Sequence, residues 1–159
     1  MIGFPDSSGV FAVPSIYFDV CCLNRPFDDQ SQARIRLEAE AVLMVLARCE
    51  SGDWEWINSE VIDLEIKQTP DPERRRRVQL LASHAHRRIP VGRPELERAQ
   101  QFEDWGISGF DAMHLACAEG GGADVFLTTD DKVLDRAATH ADQLHVRVEN
   151  PLIWLREVS

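Results

Sequence analysis

Four carboxylates stand where apolar runs end or helices begin. Asp19 follows Ser15-Ile16-Tyr17-Phe18, Glu65 lies in Ser59-Glu60-Val61-Ile62-Asp63-Leu64-Glu65, Asp111 follows Gly109-Phe110, and Asp130 closes Phe126-Leu127-Thr128-Thr129-Asp130. In open parallel α/β sheets the carboxyl ends of the strands share one edge, and ligands bind there. Acids reaching that edge from distant sequence would converge. Four carboxylates within about 5 Å of each other repel by roughly 3 kcal/mol per pair at an effective dielectric near 20, on the order of 20 kcal/mol for all six pairs. That exceeds the roughly 5–15 kcal/mol stability of a typical domain. A converged set therefore demands protons or cations, and oxygen donors without paired His or Cys suit hard Mg²⁺ or Mn²⁺.

Each acid also has a purely structural role open to it. Ser108-x-x-Asp111 and Thr128-x-x-Asp131 have the form of capping boxes, in which the acid serves free backbone donors at a helix start. With Asp131 in the capping position, Asp130 is left without a capping explanation. Glu65 shares a helix face with Val61 and Ile62, so an arginine or a metal is expected to reach it. Asp19 ends a strand, where β-propensity disfavours Asp although turn chemistry accepts it. His114, three residues after Asp111, is expected to pack or hydrogen-bond rather than to catalyse. Thr128 is expected to cap, and Asp131 and Asp135 to be solvated.

The elements that must position these residues alternate. Residues 15–19 read as a strand buried on both faces, and Asn24 to Asp29 as a loop. Ser31 to about Glu50 is the clearest helix, with Ile35, Ala39, Val42, Leu46 and Cys49 along one stripe. Trp54 to Asn58 is a strand, and Ser59 caps a helix that Thr69-Pro70-Asp71-Pro72 breaks. Glu73 to about His86 resumes helical, Ile89-Pro90-Val91 is at best a short edge strand, and Pro94 to Trp105 is helical. A helix from Ser108 to about Glu119 stops at Gly120-Gly121-Gly122. Asp124–Thr128 reads as a strand and Asp131–Thr139 as a helix. Leu144 to Val148 alternates like a half-exposed edge strand, and a final helix follows Asn150-Pro151. The pattern predicts a parallel α/β sheet with helices on both faces.

Length and charge bound the function. The 159 residues suit a single domain, expected over 14–159, with residues 1–13 a loosely held extension. A net charge of −10 argues against a binder that relies on a broad positive field. Arg25, the Arg74–Arg77 run and Arg87-Arg88 could still contact phosphates, although a solvated or acid-paired helix face explains the run better. Trp54, Trp56, Trp105 and Trp154 are expected in the core or an interface rather than stacking on bases. Cys21, Cys22, Cys49 and Cys117 form no C-x-x-C spacing, which suits a reduced, cytoplasmic protein. Neither a secretory leader nor a membrane-spanning run is visible. A phosphatase or nucleotidase on another doubly wound sheet would leave a D-x-D motif or a phosphate loop, and neither is present.

Asp19, then Ser59 with Glu65, then Asp111-Ala112-Met113-His114-Leu115-Ala116, then Leu127-Thr128-Thr129-Asp130, resembles the PIN-domain ribonucleases, many of them VapC-type toxins of toxin–antitoxin pairs. The resemblance runs from Ser15 to about Leu155 and implies a three-layer α/β/α fold with a mainly parallel central sheet. It implies metal-dependent hydrolysis of RNA, with Asp19, Glu65, Asp111 and Asp130 as catalytic residues holding one or two Mg²⁺ or Mn²⁺ ions. An antitoxin partner and a homodimer are further implications. One departure stands out: such domains commonly carry Thr, Ser or Asn just after the first acid, where this chain has Val20-Cys21. A PIN-fold module binding RNA or protein with little or no catalysis is the competing expectation.

Overall fold

The computed structural model describes the backbone of residues 4–5 and 11–159 and the side chains of residues 13–159. Most of the extension expected over residues 1–13 lies outside the described residues; its described parts, β1 (Phe4–Pro5) and β2 (Phe11–Ala12), pair antiparallel. The chain then alternates as expected: β3 (Ser15–Phe18), α1 (Val20–Asn24), α2 (Ala33–Glu50), β4 (Glu55–Ser59), α3 (Glu60–Lys67), α4 (Pro72–Ala82), β5 (Arg87–Ile89), α5 (Arg93–Asp104), α6 (Phe110–Gly120), β6 (Val125–Leu127), α7 (Asp131–Thr139), β7 (Arg147–Glu149) and α8 (Pro151–Val158).

The central sheet has the order β5-β4-β3-β6-β7 and every pairing in it is parallel. Helices cover both of its faces, giving the expected three-layer architecture. Burial explains the strand sequences. Ile16, Tyr17 and Phe18 of β3 and Val125, Phe126 and Leu127 of β6 are all buried, as central strands sandwiched between helices must be. The outer strands β5 and β7 carry exposed arginines and are partly solvated. Among the helices, α5 packs on α6 and α2 on α8.

Residues 24–29, expected as a loop, are largely helical. Asn24 ends α1, and Arg25–Phe27 form a 3₁₀ turn with Pro26 in its first positions, where a missing N–H costs nothing. Salt bridges from Arg25 and Arg74 to Asp28 pin this segment.

Candidate active site at the carboxyl edge of the sheet

Because the sheet is parallel, the ends of β3, β4 and β6 meet at one edge. Asp19 follows β3 directly, Ser59 ends β4 and begins α3, and Asp130 lies three residues beyond β6. Asp111 comes from the first turn of α6. Asp19, Glu65 and His114 present ligand atoms within 4.8 Å of one another. Asp111 and Asp130 lie outside that trio, and the electrostatics link them to it: Asp111 feels the charges of Asp130 and Glu65, and Asp19 feels that of Asp111.

The electrostatics record this crowding. Burial pushes the Asp19 carboxyl well above the usual range, with the charge of Asp111 adding to the shift and the Thr128 hydrogen bond opposing it. Burial likewise raises Asp111, and the charge of Asp130 raises it further. Asp19 is only 3% exposed, and the single side-chain donor to its carboxylate among the described residues is the Thr128 hydroxyl at 2.8 Å.

Thr128 organises this side of the site. Its one hydroxyl proton goes to Asp19 Oδ2, so its oxygen accepts from the Asp130 backbone N–H at 3.1 Å and from the Cys21 thiol at 3.4 Å. Cys21 Sγ in turn accepts the Thr129 N–H. Hydrogen bonding at its sulfur, that with Cys22 first, outweighs burial and pulls the Cys21 thiol down to about 6. Capping of α7 does not fall to Thr128.

The two helix starts reverse the expected capping roles. Asp130 is the N-cap of α7: its Oδ1 accepts the Lys132 and Val133 N–H groups at 2.9 and 3.4 Å, so capping does explain it. Asp131 instead pairs with Arg34 at 2.8 Å. At α6 the N-cap is Gly109, with φ of +61°, and Ser108 caps nothing. Asp111 therefore has no capping bond, and among the described residues no protein donor reaches its carboxylate.

Glu65 is reached by a histidine rather than by an arginine. His114, fully buried, places Nε2 at 2.7 Å from Glu65 Oε1 and Nδ1 at 2.8 Å from the Tyr17 hydroxyl. Tyr17 continues to Ser59 Oγ at 2.6 Å, and Ser59 Oγ accepts the Ile62 N–H as the cap of α3. Burial raises the Tyr17 pKa well above its usual value, keeping the phenol protonated.

A profile of the PIN domain matches residues 16–139. The chain belongs to the PIN domain family. Among solved structures, the fold is similar to VapBC2 from Rickettsia felis bound to a DNA fragment from their promoter, at 11% identity and a TM-score of 0.55, covering 86% of this chain and 98% of that one. It is similarly close to VapBC-1 from nontypeable Haemophilus influenzae, at 14% identity and a TM-score of 0.54 with the same coverages. A search of curated protein sequences found no significant match.

In this PIN domain the residues after the first acid, Val20 and Cys21, carry no hydroxyl, and the hydroxyl on Asp19 comes from Thr128, one residue beyond β6. The arginines are largely engaged elsewhere. Arg25 pairs with Asp28 and Glu38, Arg74 with Asp28, Arg77 with Glu73, Arg87 with Glu55 and Arg88 with Asp63, while Arg75 donates to the Thr69 carbonyl. Trp54, Trp56 and Trp154 are buried, and Trp105 stacks on His140 with ring centroids 4.4 Å apart. Sequence reasoning missed Tyr17. Its signal was chemical: the chain's single tyrosine, set in a fully buried strand, has a hydroxyl that must find a partner.

Proposed function

We propose that this PIN domain is an Mg²⁺- or Mn²⁺-dependent endoribonuclease and the toxin of a toxin–antitoxin pair. PIN domains are in general nucleases. The observation that carries the metal reading is Asp19, a nearly fully buried carboxylate, crowded by further acids, with one hydroxyl donor and no paired Lys or Arg among the described residues.

The donor set fits a hard divalent ion. Asp111 has no protein donor among the described residues, and Asp130 uses one oxygen as a cap and keeps the other. Asp19, Glu65, Asp111 and Asp130 would hold one or two ions, which when bound supply an activated water and stabilise the leaving oxygen. Thr128 fixes Asp19 and ties it to the backbone of Asp130, while His114 holds Glu65.

An antitoxin partner is part of the proposal, supported by a fold shared with two VapBC assemblies. A homodimer would give the exposed Leu64, Leu80 and Leu96 apolar surface to cover. A cytoplasmic location fits four free cysteines and the lack, among the described residues, of a helix long and apolar enough to cross a membrane. The test is cleavage of RNA by purified protein with Mg²⁺ or Mn²⁺, with and without EDTA. Cleavage that EDTA abolishes is expected; RNA left intact with either ion would overturn the reading.

A further inference from the structure

Three groups at the site present ligand atoms at metal-binding spacing, and one of them is an imidazole. Its hydrogen bonds determine what it can do. A neutral ring has one N–H and one lone pair. Glu65, as a carboxylate, only accepts, so the N–H belongs on Nε2, 2.7 Å from Glu65 Oε1. Nδ1 is then the acceptor, Tyr17 donates to it at 2.8 Å, and Ser59 donates to the Tyr17 oxygen at 2.6 Å while accepting the Ile62 N–H. Every bond in this chain points one way, from Ser59 through Tyr17 and His114 to Glu65. No buried side-chain nitrogen or oxygen among the described residues is left without a partner.

We infer that Ser59 and Tyr17 lock His114 in its Nε2–H tautomer, making it a positioning residue that aims Glu65 at the metal rather than a metal ligand. Resting on the metal reading proposed above, this assigns to the Tyr17–Ser59 pair a part in setting metal affinity. The relay spans β3, the start of α3 and α6, so it also fixes how the helix bearing Glu65 sits against the helix bearing Asp111. Ligand-orienting hydrogen bonds of this kind typically govern 10- to 100-fold in metal affinity.

The test is a two-bond ¹H–¹⁵N correlation spectrum of the histidine side chains in the metal-free full chain, with His114 assigned through His114→Gln. The expected result is a protonated Nε2 and an unprotonated Nδ1, unchanged in pattern when Mg²⁺ is added. A ring protonated on Nδ1 alone, or on both nitrogens, or an Nε2 that loses its proton on adding Mg²⁺, would overturn the assignment.

Mn²⁺ titration followed by electron paramagnetic resonance supplies the second arm. His114→Leu is expected to bind Mn²⁺ about 10-fold more weakly. His114→Gln, whose amide can still donate to Glu65, should restore most of the affinity, and Tyr17→Phe should fall between them. Equal affinity in the leucine and wild-type proteins overturns the positioning role. Absence of Mn²⁺ binding by the wild type, with the tautomer as expected, overturns the metal reading and reduces the relay to a packing device.

Discussion

Asp19 and Glu38 are buried to the same depth, 3% and 2% exposed, and the protein treats them in opposite ways. Glu38, on α2, receives Arg25 at 2.9 Å, Arg34 at 3.3 Å and the Asn150 amide at 2.6 Å. Asp19 receives one hydroxyl. A buried charge is tolerable only when paired or hydrogen-bonded. The chain brings its own cations to Glu38, which thereby ties α2 to the 3₁₀ turn and to the cap of α8. At Asp19 it brings more carboxylates instead. That contrast separates an acid that holds the fold together from an acid that waits for an external cation.

Neutral replacement separates the two acids most strongly. Asp19→Asn is expected to reduce metal-dependent RNA cleavage to background while leaving metal-free stability equal or higher, read by gel-based cleavage and by urea denaturation. Glu38→Gln should do the reverse. It leaves two guanidinium groups facing a neutral amide and costs about 3 kcal/mol of stability in the same denaturation experiment, with activity per folded molecule retained. Similar stability losses in both variants would erase the distinction.

Thr128→Val removes the one side-chain donor that reaches Asp19 among the described residues. Mg²⁺ affinity should fall about 10-fold in calorimetric titration, with the fold preserved in circular dichroism. The gentlest effect is on pH dependence. Asp19 and Asp111 titrate higher in the folded protein than in the unfolded chain, so the folded state binds more protons just above the ordinary carboxylate value of 3.8. Metal-free stability should therefore fall as pH rises through that value toward the raised folded values, and saturating Mg²⁺ should cancel the fall. Denaturation curves measured across that range check both signs.

How much of this was legible in the sequence depended on the length of the signal. One long periodic segment revealed α2, and all-apolar runs revealed β3 and β6, because burial on both faces is written directly into residue type. The segment Asn24–Phe27, expected within a loop, misled because Pro26 reads as a breaker; tertiary packing and the Asp28 ion pairs hold it helical. Capping roles turned on single residues. A capping box starting at Thr128 requires the helix to begin two positions earlier than it does, and Gly109, adopting a left-handed φ, displaces Ser108. All four acids were visible as candidates. Which of them the backbone already uses was not, because that depends on helix boundaries that differ by one or two residues. The partner of Glu65 lay in another helix, beyond any local pattern.

The central claim is that the uncompensated Asp19 cluster is a divalent-cation site, and thermal denaturation at neutral pH with increasing Mg²⁺ tests it directly. Binding to the folded state alone adds about 2.7 kcal/mol at 100 times the dissociation constant, a rise of roughly 5–10 °C in Tm for a domain of this size. The account predicts that rise for the wild-type protein and for Glu38→Gln, and its loss in Asp19→Asn. An equal rise in Asp19→Asn, or none in the wild type, would contradict it.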